Sequence, residues 1–169
     1  FSRVLNEVLK SLPKDIEVHR LLGSLAPDSD VAMPDLMQQK IKSNWSRIED
    51  KIPGVKFNFD FWQKTVPRRS TYPACRAVVA ARQQGIEYDV IMTKAIQRAY
   101  YQEARNPSDN STLIELATEI KLAIPKFEKD LLSNEINNML IEEMDLSREF
   151  YVESYPSLVF QVEDDFFSI

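Results

Sequence analysis

The chain reads as an α/β protein in which a long, wholly helical insertion separates two short strand-bearing segments. Three observations predict this. An apolar helical repeat and then a partly alternating run precede Gly23; residues 27–149 are patterned almost throughout for helix; and a proline loop leads into two apolar runs split by an acidic turn. The expected parts are residues 1–26, residues 27–149 and residues 150–169.

The elements follow in order. Val4, Leu5, Val8, Leu9 and Leu12 share one helical face, and Pro13 stops that helix. Residues 16–22 (Ile-Glu-Val-His-Arg-Leu-Leu), bounded by Gly23, read as a strand. His19, the only histidine, shares a face with Glu17 and Leu21 and reads as a polar surface residue. After a polar loop at 26–30, Pro34 fits the first turn of a helix carrying Leu36, Met37, Ile41, Trp45 and Ile48, ended by Ile52-Pro53-Gly54. Residues 55–62 alternate apolar with polar; a strand and an extended connector both fit, and their aromatics should cover the core.

A helix is expected from Thr71 or Tyr72 to a stop at Gly85, and another from Tyr88 to the turn at 106–110. Thr112 and Glu115 have capping-box spacing for a short helix, and Pro125 opens the next. Ser133 caps the last helix, with Ile136, Leu140 and Met144 inward and Glu142, Glu143 and Asp145 on a solvated face. Pro156 then belongs at the mouth of a buried strand over 158–162, because the residue before a proline is extended and proline has no amide to donate. A cis bond before Pro156 would turn the Tyr155 backbone outward to meet an extended peptide, whereas trans is the commoner state. The acidic turn 163–165 joins residues 158–162 to 166–169 as a hairpin.

With 169 residues, 44% hydrophobic and 28% charged, the chain can build one good core. A net charge of -5 leaves no basic footprint for nucleic acid. No apolar run reaches the length of a membrane span and no signal peptide is visible, so no membrane partner and a cytoplasmic location are expected, or a periplasmic one if an export signal precedes. The missing initial methionine and a last run that breaks off within a strand pattern are expected of a fragment.

Two stretches offer chemistry. Arg68, Arg69, Ser70, Thr71 and Arg76 gather cations and hydroxyls around a helix N-terminus, a combination that holds an anion such as a carboxylate or thiolate; capping plus surface charge is the plainer alternative. Cys75 is the sole cysteine, without a second thiol or nearby histidine for redox exchange, a metal cage or a dyad, and is expected in the core. No metal site and no cofactor are expected.

The order of these features resembles the DsbA-type branch of the thioredoxin-like superfamily, which includes bacterial disulfide isomerases and 2-hydroxychromene-2-carboxylate isomerases. The resemblance is carried by residues 16–23, by Phe59-Asp60-Phe61-Trp62 with Ser70-Thr71-Tyr72-Pro73-Ala74-Cys75-Arg76-Ala77, by Asn106-Pro107-Ser108-Asp109 leading to Leu113-Ile114-Glu115-Leu116-Ala117, and by the Tyr155-Pro156 loop. It implies a thioredoxin-like sheet with an all-helical insertion, and a Cys-x-x-Cys pair just before a residue like Phe1. The first strand and that pair are absent here, so no catalytic residue lies within the chain.

The resemblance further implies that Tyr155, Pro156 and Ser157 form the substrate side of a thiol site and that the Arg68–Arg76 stretch, near that cleft, tunes substrate choice. A thiol or disulfide of a protein or small molecule is the expected partner. The leading expectation is a thiol:disulfide oxidoreductase or isomerase. A glutathione-dependent isomerase, with glutathione as substrate and an upstream serine, and a non-catalytic adaptor remain open beside it.

Overall fold

Helix formation follows the apolar spacing through the middle of the chain. The computed structural model describes residues 2–163 and 165–168, which form two units: Phe1–Gly23 with Ile141–Ile169, and Ser24–Leu140. Phe1, Asp164 and Ile169, which enter the expected first helix, acidic turn and final strand, lie outside the described residues, as does the side chain of Val4.

The larger unit holds α2 (Asp35–Lys51), α3 (Phe61–Lys64), α4 (Tyr72–Arg82), α5 (Tyr88–Gln102), α6 (Asn110–Glu119), α7 (Ile124–Leu131) and the start of α8 (Asn134–Glu149). Its centre is α4, whose Ala77, Val79, Ala80 and Ala81 are fully enclosed. These small side chains let α5, α6 and α7 approach closely, and Met92, Leu113, Leu116 and Phe127 fill the space between. Cys75 is half-buried on α4, outside the fully enclosed core where it was expected.

Residues 55–60 form the connector of the two alternatives: no ladder pairs them, and Phe57 and Phe59 are laid onto Trp45 of α2. Trp45 lies 5.0 Å from the Phe57 ring, stacked, and meets Trp62 and Tyr100 at 5.0 and 5.4 Å. Such pairs add about 0.5–1.5 kcal/mol each beyond their buried area. The Phe57 N–H donates to the Glu49 carboxylate at 2.6 Å, which fixes the connector against α2.

Helix α6 starts two residues before Thr112, with Asp109 at the N-cap position and Thr112 buried in the first turn. The expected capping box at Thr112 does not form, because buried Asn106 shapes the turn first. Its Oδ1 accepts the Ser108 N–H at 3.1 Å and its Nδ2 donates to the Val66 carbonyl at 3.1 Å. Ser133 does cap α8: its Oγ accepts the Ile136 N–H at 3.2 Å.

The smaller unit holds α1 (Ser2–Ser11), the rest of α8 and an antiparallel hairpin of β1 (Val159–Val162) and β2 (Asp165–Ser168), paired from Val159↔Ser168 to Val162↔Asp165. Two expectations fail here. Residues 16–22 are not a strand, because no backbone ladder among the described residues includes them and a strand exists only by its ladder. Nor is the strand after Pro156 buried: Phe160 and Val162 are 42% and 47% exposed. A two-stranded sheet covers at most one of its faces, and among the described residues this one has a single packed ring pair, Phe150–Phe166 at 4.4 Å. Met144 is the one fully buried hydrophobic residue of this unit among those described.

Candidate functional site

The loop after α8 is shaped by backbone bonds. The Phe150 N–H reaches the Leu146 carbonyl at 3.1 Å, Tyr151 takes a left-handed conformation, and the Val152 N–H returns to the Ser147 carbonyl at 3.1 Å. The chain then enters Ser154–Ser157, where the Ser157 hydroxyl donates to the Ser154 carbonyl and the Tyr155–Pro156 peptide is cis. The Tyr155 ring lies against the backbone of Gly23: a Cβ there would sit 1.8 Å from Tyr155 Cε1. One residue earlier, the Leu22 N–H donates to Glu143 Oε2 at 2.8 Å.

Around this loop the smaller unit contains an open cavity of about 560 Å³. Leu5, Val8 and Leu9 of α1 line it with Leu12 just beyond that helix, then Ile16, Val18 and Leu21, Tyr155, Ser157 and Leu158, and Val159 and Phe166 of the hairpin. Residues 16–21 and β1 thus border one apolar-walled space, and no ladder crosses it among the described residues. No cysteine lies in its lining. His19, at the rim, is exposed and 3.2 Å from Glu17, the polar surface position expected of it.

The arginine stretch lies in the larger unit, and most of its members are engaged internally. Arg68 donates to the Ser108 carbonyl at 2.9 Å and to the Asp109 carboxylate. Arg76 holds both carboxylate oxygens of Asp28, at 2.5 and 2.7 Å, in a bidentate pair. Those hydrogen bonds from Arg76 hold the Asp28 carboxyl below its ordinary range, against the opposing effect of partial burial.

Buried Ser70 accepts the Ser29 N–H at 3.3 Å and gives its carbonyl to the Ser108 hydroxyl. Thr71 does not cap α4; its hydroxyl serves the chain at 24–26 instead. The Thr71 and Tyr72 amides both point to the Ala26 carbonyl, so the helix start offers less to an anion than its sequence suggests. The plainer alternative of capping plus surface charge also differs from the outcome, since Arg68 and Arg76 are mostly buried in ion pairs. Arg69 is the exposed cation of the group.

Two residues that shape the proline loop were not singled out from the sequence. The charge pattern puts Glu143 on the solvated face of α8, yet it is half-buried and binds a backbone amide 121 positions away. The sequence marks Gly23 only as a strand terminus. No local spacing links either to its partner. Glu142 and Asp145 are exposed as expected, and among the described residues no cluster of His, Cys, Asp and Glu suits a metal.

Comparison with known proteins adds the family. A family model described as Thioredoxin matches residues 25–166. The chain belongs to the thioredoxin family. Its fold matches solved thioredoxin-like structures of the DsbA type: a candidate protein disulfide isomerase from Nitrosomonas europaea (TM-score 0.72, 21% identity, 85% of this chain and 70% of that one). The cytosolic disulfide reductase DsbM from Pseudomonas aeruginosa with GSH gives a TM-score of 0.69 at 18% identity, covering 92% of this chain and 76% of that one.

Among curated proteins, the ClpXP adapter protein SpxH of Bacillus subtilis (strain 168) is 28% identical over 125 residues, or 72% of this chain. The match spans 42% of that relative's length. The fold class expected from the sequence, a thioredoxin-like α/β protein rich in inserted helix, is therefore the one found.

Proposed function

We propose that this chain is the substrate-facing and helical part of a thiol:disulfide oxidoreductase or isomerase whose Cys-x-x-Cys pair precedes Phe1. The observation that carries the reading is the apolar-walled cavity in the smaller unit, which the Tyr155–Pro156 loop borders and which has no thiol in its lining. Exchange needs a thiolate that attacks one sulfur of a disulfide, forms a mixed disulfide and expels the other sulfur as thiolate; a second cysteine then resolves the mixed disulfide. Tyr155, Pro156 and Ser157 supply the wall along which an extended substrate segment lies, its backbone pairing as an added strand would.

Protein thiols and small thiols such as glutathione are the substrate class, without a further cofactor, in the cytoplasm. Arg69, exposed while Arg68 and Arg76 hold carboxylates, is the member of the arginine stretch left to meet a substrate carboxylate. Insulin reduction by the longer protein, repeated with each upstream cysteine replaced, tests this; full activity with no upstream cysteine overturns it.

A second reading, an adaptor that binds a polypeptide without redox chemistry, is favoured by the likeness to the adapter protein over 72% of this chain. It predicts polypeptide binding that survives removal of every cysteine. The glutathione-dependent isomerase would instead require an upstream serine at the helix start.

A further inference from the structure

Three glycines occur in the chain, and Gly23 is the one among them whose φ is not positive. Gly54 adopts a φ of +81° in open space, so its backbone conformation demands glycine. Gly23 has no such conformation. What it lacks room for is a side chain: three atoms of the Tyr155 ring lie 1.8–2.2 Å from where its Cβ would be.

We infer that Gly23 is the positioning residue of the proline loop, a seat whose missing side chain fixes the Tyr155 ring and with it the Ser154–Ser157 wall. The functional consequence rests on the thiol-exchange reading; the seat itself does not. The backbone around Gly23 is not free to retreat, because the neighbouring Leu22 amide is fastened to the Glu143 carboxylate at 2.8 Å. A methyl group at Gly23 must therefore displace the ring. To lengthen the 1.8 Å approach to a barely tolerable 3.0 Å takes a shift of at least 1.2 Å. Tyr155 immediately precedes Pro156, so a ring forced off its rotamer strains the residue whose backbone would meet substrate. Misplacement of about 1 Å in a positioned site lowers rate by up to about 100-fold.

The seat makes a prediction that an ordinary core contact does not: the cost of filling it disappears when the ring is removed. The test is a four-corner set in the longer protein: unaltered, Gly23→Ala, Tyr155→Ala, and both. The glycine-selective NMR signal of Gly23 Hα is shifted by the ring in the unaltered protein and moves toward its random-coil position in Tyr155→Ala. Gly23→Ala lowers kcat/KM for a disulfide-bonded peptide at least tenfold, chiefly through KM. On the Tyr155→Ala background the same change costs less than twofold.

Should Gly23→Ala alone fail to fold, the seat predicts that adding Tyr155→Ala restores a cooperative melt. An Hα signal indifferent to Tyr155→Ala, an equal cost of Gly23→Ala on both backgrounds, or a double variant that also fails to fold overturns the inference. If the unaltered longer protein shows no thiol exchange, the functional reading falls, while the NMR and melting arms still decide the seat.

Discussion

Replacing Thr71 by valine preserves its volume and β-branch while removing one hydroxyl, and the cost follows from what that hydroxyl does. Thr71 Oγ1 accepts the Leu25 and Ala26 N–H groups at 3.1 and 3.0 Å. It also shares a 2.8 Å bond with Ser24 Oγ and donates to the Ala26 carbonyl at 3.1 Å. Leu25 is 62% exposed, so water replaces its partner; Ala26 and Ser24 are 4% and 9% exposed, so theirs is lost.

The Ala26 carbonyl keeps the Thr71 N–H at 3.0 Å. Two buried groups are therefore orphaned at about 1–3 kcal/mol each, and since the Ser24 hydroxyl can rotate, the expected loss is about 2–4 kcal/mol. For a chain of this size that lowers Tm by roughly 4–16 °C. Urea unfolding should show a reduced midpoint at unchanged m, with Thr71→Ser far less affected. A loss under about 0.5 kcal/mol would refute the hydroxyl's structural role and return Thr71 to the pool of ligand-binding residues.

Two more perturbations probe the same framework. Arg82 and Asp89 form a 2.7 Å ion pair with side chains only 17% and 7% exposed, so Asp89→Ala strands a buried guanidinium and should cost about 3–5 kcal/mol by urea unfolding. Replacing both partners by apolar residues of similar volume should cost much less. For Asp28, whose folded pKa lies below 3.8, the stabilisation from Arg76 is fully present above the unfolded value and disappears as pH falls through the folded one. Arg76→Met should return the Asp28 carboxyl to its ordinary range in a ¹³C titration. The gap in unfolding midpoint between the two proteins should be constant near neutrality and close below about pH 4.

How far the sequence disclosed this molecule depended on the range of the interactions. Helices α2, α4, α5, α7 and α8 were legible because their determinants are local: Trp45 and Ile41 on one stripe, Pro73 and Pro125 in first turns, Ser133 at a cap. The start of α6 was missed because Asn106 binds the Val66 carbonyl across 40 positions and resets the turn before Thr112 can cap. Residues 16–22 had a strand's composition, but composition does not supply a ladder. In the candidate site, the Tyr155-Pro156 loop was visible from proline's own restrictions. The seat at Gly23 and the anchor at Glu143 were not, since each depends on a partner more than 100 residues away. The arginine stretch looked available only because Asp28 and Asp109, which occupy two of its cations, are far from them in sequence.

The central claim is that the chain serves thiol exchange carried out by a cysteine pair ahead of Phe1. Its most direct measurement is the rate of insulin disulfide reduction by the longer protein, with the upstream cysteines replaced singly by serine. The account predicts activity that vanishes when the more N-terminal cysteine is replaced, and a trapped mixed disulfide when the second is. Undiminished reduction with no upstream cysteine, or no reduction with both present, would contradict it.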